Sequence, residues 1–149
     1  MPKASIKRLI ECKKKNLINL VLDIEKYPEF IPFCYDAKIY KNEDQEDFKL
    51  IIADLSIGKG AFRDTYKSDV KFNKKDNSIY VKNIDGPLNH LTNIWNFKEI
   101  NNMTEVTFDI DFEIKNKFLN TIMSASFQFG LEKIADSFQK RAEDLFKES

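Results

Sequence analysis

The chain has 149 residues, a length suited to one domain with a sizeable core, and its 24 lysines and arginines are matched by 24 aspartates and glutamates. That balance excludes the global positive field by which a protein collects nucleic acid through charge alone. Two cysteines without CxxC spacing, Cys12 and Cys34, are too few for a secreted disulfide scaffold, and no run approaches the ~20 apolar residues of a membrane span.

The opening MPKASIKRLIECKKK is basic, with no long apolar run and no small-residue cleavage site. It also lacks the Arg- and Ser-rich length of an organelle presequence. A bacterial cytoplasm is therefore the expected location, with the inner face of the membrane as the workplace. From Ala4 to Glu11 the residues alternate weakly, Ile6, Arg8 and Ile10 against Lys7, Leu9 and Glu11, as in a first strand. Lys13, Lys14, Lys15 and Asn16 interrupt it. Leu17, Ile18, Leu20, Val21 and Ile24 then give a short amphipathic helix ending between Asp23 and Lys26. Pro28 and Pro32 bracket Glu29-Phe30-Ile31, so Tyr27 to Cys34 forms a tight turn of at most one helical turn.

Strands separated by turn signals follow. Tyr35 to Lys41 and Phe48 to Ile57 flank a polar loop, and Gly58-Lys59-Gly60 reads as a hairpin turn into Ala61 to Phe72. There Phe62, Tyr66, Val70 and Phe72 share one face. Lys74 to Asn77 turns the chain into Ser78 to Ile84, which Asp85-Gly86-Pro87 breaks. His90 to Glu99 is the next strand, and Asn101-Asn102 turns into the clearest one. Val106, Phe108, Ile110, Phe112 and Ile114 alternate there with Thr107, Asp109, Asp111, Glu113 and Lys115. One buried and one wet face is the antiparallel pattern.

From about Lys117 to Lys147 the period changes to the helical one. Phe118, Ile122, Phe127, Leu131, Ile134, Phe138, Ala142 and Leu145 recur at mostly three- and four-residue spacing with no proline. At 1.5 Å per residue this helix is roughly 45 Å long. Its second half has an ordinary polar face, whereas the first is apolar over a wider arc, with Leu119, Met123 and Phe129 added. A long helix of this kind requires a broad apolar surface beneath it. The sum is an α+β fold of helix-grip architecture: a bent antiparallel sheet of about seven strands around the terminal helix, with two short helices after the first strand. One domain, residues 1–149, is expected.

No nucleophile, metal or nucleotide fingerprint is present. The single histidine, His90, beside Gly86-Pro87, reads as a partly exposed strand residue, and Cys34 as an inert buried thiol. Asp109, Asp111 and Glu113 form a carboxylate stripe that a solvated face with lysines or arginines on neighbouring strands explains. Gly130 inside the long helix disfavours helix by ~1 kcal/mol, which calls for a bulky strand residue or a ligand close to the backbone there. The lysines at 13 to 15, with Lys3, Lys7 and Arg8 nearby, make either a solvated turn or a contact for phosphate groups of lipid or RNA. Tyr27, Phe30 and Phe33 either plug the sheet as core or rim an opening into it.

Several stretches together resemble one family. YPEFIPFC at Tyr27 to Cys34 follows a helix ending Leu22-Asp23-Ile24-Glu25-Lys26; Asp85-Gly86-Pro87-Leu88 precedes Leu91 and Trp95-Asn96-Phe97; Asp111-Phe112-Glu113 leads into a helix ending Phe138-Gln139-Lys140-Arg141-Ala142. This resembles the coenzyme Q-binding START-like family, within the polyketide cyclase-like superfamily, which includes mitochondrial ubiquinone chaperones and bacterial ribosome-association toxins. The family usually has tryptophan at the position of Phe33, phenylalanine at Leu88, glycine at Asn93 and an arginine near Thr65, where only Arg63 is close here.

The resemblance implies a hydrophobic tunnel between sheet and terminal helix, holding ubiquinone or a similar isoprenoid without catalysis or cofactor. Its expected walls are Phe30, Phe33, Phe62, Tyr66, Trp95, Phe97, Phe108, Ile110, Phe112, Phe127, Gly130, Leu131 and Ile134, with Tyr66 or Asn93 orienting the head. The expected mouth joins Tyr27, Pro28 and Phe30 to Phe118, Leu119, Ile122 and Met123, near Lys13, Lys14 and Lys15. That mouth would rest transiently on a membrane surface. Partners implied are respiratory-chain components, or the large ribosomal subunit in the toxin reading; a cyclase or aromatase is the enzymatic alternative.

Overall fold

The computed structural model describes residues 3–58 and 63–146, and within the last helix all side chains but those of 119 and 122–126. In chain order the elements are β1 (Lys3–Ile10), α1 (Lys14–Leu22), a 3₁₀ segment (Ile24–Glu29), β2 (Cys34–Asp44), β3 (Phe48–Ile57), β4 (Asp64–Asn73), β5 (Ser78–Asp85), β6 (Leu88–Ile100), β7 (Met103–Ile114) and α2 (Lys117–Phe146). The seven strands form one antiparallel sheet in the order β1-β7-β6-β5-β4-β3-β2. β1 and β2 are thus opposite edges, and the chain between them, α1 and the 3₁₀ segment, crosses the sheet's inner face.

Local chemistry sets the turns. Asn101 and Asn102 both adopt positive φ, 47° and 69°, which gives the two-residue hairpin between Ile100 and Met103 the twist its strands require. Asn77, at φ 58°, closes the β4–β5 turn. β2 runs beyond Lys41 to Asp44, because the register shift between Ile39 and Lys41 interrupts the alternation by which the sequence reveals a strand. Gly86 has φ 131°, and a Cβ there would stand 2.7 Å from the Tyr66 Cβ, so only glycine lets the β5–β6 turn close against β4.

Register builds the inner face row by row: Ile6, Phe108, Trp95, Ile79 and Phe72 align across β1, β7, β6, β5 and β4. Onto this face α1 buries Leu17, Ile18, Leu20, Val21 and Leu22, and the second half of α2 buries Phe138 and Ala142. Each fully buried aliphatic or aromatic side chain contributes about 1.5–3 kcal/mol. A smaller cluster, Leu88, Leu91 and Phe112 with Tyr66, Ile110 and Phe127, lies under the first half of α2. The outer face mixes charged and polar residues with exposed Leu9, Tyr80 and Ile94. The carboxylate stripe lies there: Lys3 reaches Asp111 at 3.7 Å, and His90 stands 3.0 Å from Asp111 and 3.8 Å from Glu113.

Candidate functional site

Between the sheet and α2 lies a narrow crevice of about 30 Å³. β1 contributes Ile6, Arg8 and Ile10, α1 contributes Leu17, and β6 contributes Trp95. Val106 and Phe108 come from β7, and α2 closes it with Leu131, Ile134, Ala135 and Phe138. Four expected wall residues therefore meet here: Trp95, Phe108, Leu131 and Ile134. The β1 residues were missed as walls, although the alternation of Ile6, Arg8 and Ile10 already put all three on one face.

The aromatic packing around it is dense. Trp95 meets Phe108 at 4.5 Å and Phe138 at 5.2 Å between ring centroids, both edge-on, and Phe97 stacks on Trp95 at 6.2 Å as closed core outside the crevice lining. The Trp95 indole N–H donates to Asn93 Oδ1 at 2.5 Å, and Asn93 Nδ2 donates to the Asp109 carbonyl at 3.3 Å. Asn93 thus has its amide oxygen and one N–H group engaged within the sheet.

Several expectations are corrected. Tyr27 and Phe30 plug the fold: they meet Phe138 edge-on at 5.5 and 5.3 Å, Arg141 lies 5.1 Å over the Phe30 ring, and the Tyr27 hydroxyl donates to the Val21 carbonyl. Phe138 is twenty residues from Phe118, about 30 Å along a helix, so Tyr27 and Phe30 cannot share one mouth with Phe118. Half-buried Pro28 belongs to the same 3₁₀ segment. Phe33 is no wall; it is 47 % exposed at φ 67°, its carbonyl accepting from Gly58 N at 2.8 Å. Among the described residues nothing lies within 4 Å of where a Cβ of Gly130 would stand, so no described strand residue presses on the helix there.

Tyr66, Ile110, Phe112 and Phe127 gather in the second cluster, where Phe127 and Phe112 approach to 4.5 Å. Burial, with the Cys34 thiol nearby, holds the Tyr66 phenol well above its ordinary range, so it stays a protonated donor. Phe62 lies outside the described residues, as do the side chains of Leu119, Ile122 and Met123; Phe118 is 71 % exposed. Lys13 and Lys15 are exposed and Lys14 half-buried, without an ion pair among the described residues.

The chemistry of catalysis is not gathered in the crevice. His90 lies on the outer face of β6, 3.0 Å from Asp111 Oδ1. Burial raises both thiols, Cys12 and Cys34, to about 11, which keeps them protonated at neutral pH. Among the described residues no three histidine, cysteine or acidic side chains group to hold a metal, and no helix is long and apolar enough to cross a membrane.

Seven antiparallel strands curled against one long helix, with an apolar crevice between them, define a helix-grip, START-like fold. The chain belongs to the family described as polyketide cyclase / dehydrase and lipid transport, whose model matches residues 16–139. It is 32 % identical over 143 residues to a ribosome association toxin RatA of Rickettsia prowazekii, covering 94 % of this chain and 95 % of that one. It is 33 % identical over 135 residues to the mitochondrial coenzyme Q-binding protein COQ10 of Dictyostelium discoideum, covering 88 % of this chain but only 64 % of that relative. A START superfamily protein from Mycobacterium smegmatis superposes with a TM-score of 0.80 at 16 % identity, over 96 % of this chain and 98 % of the other.

Proposed function

We propose that the protein binds ubiquinone or a similar isoprenoid lipid between its sheet and α2, without catalysis, and serves respiratory electron transport as a quinone carrier. The observation that carries this reading is the crevice lining: every residue but Arg8 is apolar, and none is a carboxylate, histidine or thiol. Such a surface gains about 25 cal/mol per Å² of ligand surface removed from water, while it offers no acid–base pair for a cyclase. The closed crevice holds no more than a water or two, so a ligand enters as α2 moves off the sheet. The similarity to a coenzyme Q-binding relative supports the ligand class.

The test is mass spectrometry of an organic extract from the purified protein, followed by titration with added quinone. A stoichiometric isoprenoid quinone is expected. Leu131→Trp and Ala135→Leu both fill the crevice and should abolish binding; unchanged binding by both folded variants refutes the site.

A second reading has its own support. The chain spans nearly the whole length of a ribosome association toxin, and Lys13, Lys14 and Lys15 present a local cluster of positive charge beside β1. In that reading the partner is the large ribosomal subunit, approached through phosphate contacts. Co-sedimentation with large subunits that survives moderate salt, and is lost when the three lysines become glutamates, would select it over the carrier.

A further inference from the structure

Resting on the carrier reading, we propose that Arg8 is the group that holds the oxygen-bearing head of the ligand, so that the head lies at the seam between β1 and α2 while the isoprenoid tail runs inward along Trp95 and Leu131. Arg8 is on the inner face of the edge strand, opposite Val106, among the apolar residues of the crevice. The only other polar atom that the lining side chains offer, the Trp95 indole N–H, is already bonded to Asn93. Arg8 supplies a fork of five N–H donors, of which only Nη1 has acceptors among the described residues: Asp136 Oδ1 at 2.5 Å and Gln139 Oε1 at 3.4 Å. A quinone carbonyl or methoxy oxygen is an acceptor without a donor, the complement of this fork.

The present partner is replaceable. Asp136 is 66 % exposed against 26 % for Arg8, so the pair is a solvent-screened one of small net value, and water takes over Asp136 when Arg8 turns to a ligand. The pair also spans the seam that must part for a ligand to enter. Admission and recognition thus involve the same guanidinium.

Trp95 is the only tryptophan and lines the crevice, so its fluorescence reports occupancy. The probes are a benzoquinone carrying three isoprene units, which quenches Trp95, and farnesane, an oxygen-free hydrocarbon of equal tail length, which displaces it. Arg8→Met should weaken quinone binding tenfold or more and leave farnesane within about twofold, because only the oxygen contacts are lost. Asp136→Ala, which removes the acceptor and frees the fork, should tighten quinone two- to fivefold. Equal quinone affinity in the wild type and Arg8→Met, or parallel loss of quinone and farnesane, overturns the assignment while leaving the carrier reading standing. A wild type that binds neither probe overturns both.

Discussion

The two halves of α2 are held in different ways. From Leu131 to Phe146 the helix is stitched to the fold by apolar and polar contacts: Phe138 and Ala142 are buried, Arg8 reaches Asp136, Gln139 Nε2 donates to the Leu9 carbonyl at 3.5 Å, Glu143 accepts from Glu11 N at 3.1 Å, and Arg141 reaches Glu29 at 2.8 Å. Before Gly130, among the described side chains, Phe127 packs against Phe112 and Asn120 Oδ1 accepts from Ile114 N at 3.1 Å, whereas Phe118 and Phe129 are 71 and 62 % exposed. Among the described side chains, the second half carries more of the polar ties between α2 and the rest of the fold.

The comparison can be broken by cutting each anchor in turn. Phe138→Ala should lower stability most, by about 3–5 kcal/mol in urea unfolding, since it leaves a hole among Tyr27, Phe30 and Trp95. Phe127→Ala, at a half-buried site, should lower it by only about 1–2 kcal/mol; an equal loss from both would mean the halves are equally anchored. Hydrogen exchange should show residues 117–129 less protected than residues 131–146. Gly130→Ala should raise stability by about 1 kcal/mol, because an added methyl meets open space and the helix loses its most flexible residue; destabilisation would reveal a close neighbour after all.

The smallest effect concerns pH. The Arg141 hydrogen bond, the largest cause, holds the Glu29 carboxyl below its ordinary range. A depressed carboxyl stabilises the fold above its unfolded pKa and loses that contribution as pH falls through the folded one. Glu29→Gln should therefore lower Tm slightly at neutral pH and not at all in strong acid, checked by thermal melts across the acid range.

Much of the fold was legible. Alternation revealed the strands, asparagine pairs and proline brackets marked the turns, and a three- and four-residue period marked α2, because these signals are local and follow from backbone geometry. The tight hairpin at Asn101-Asn102 is an example in which two residues determine a turn by themselves. The site was legible only in part. Trp95, Phe108, Leu131 and Ile134 were named as walls, but Tyr27 and Phe30, with the same aromatic character, face Phe138 as a plug. Composition cannot distinguish an aromatic that lines a space from one that fills it.

By itself the sequence determined the two faces of the alternating strands, down to the arginine that alternation puts on the apolar face of β1. Only the tertiary structure decided what each inward residue meets: an amide for the Trp95 indole, a carboxylate for Arg8, empty space for Gly130. The reason is physical. Direction follows from the period of a strand or helix, which neighbours in sequence fix, whereas contact can depend on partners far along the chain, such as the 128 residues that separate Arg8 from Asp136, which meet because α2 packs beside β1.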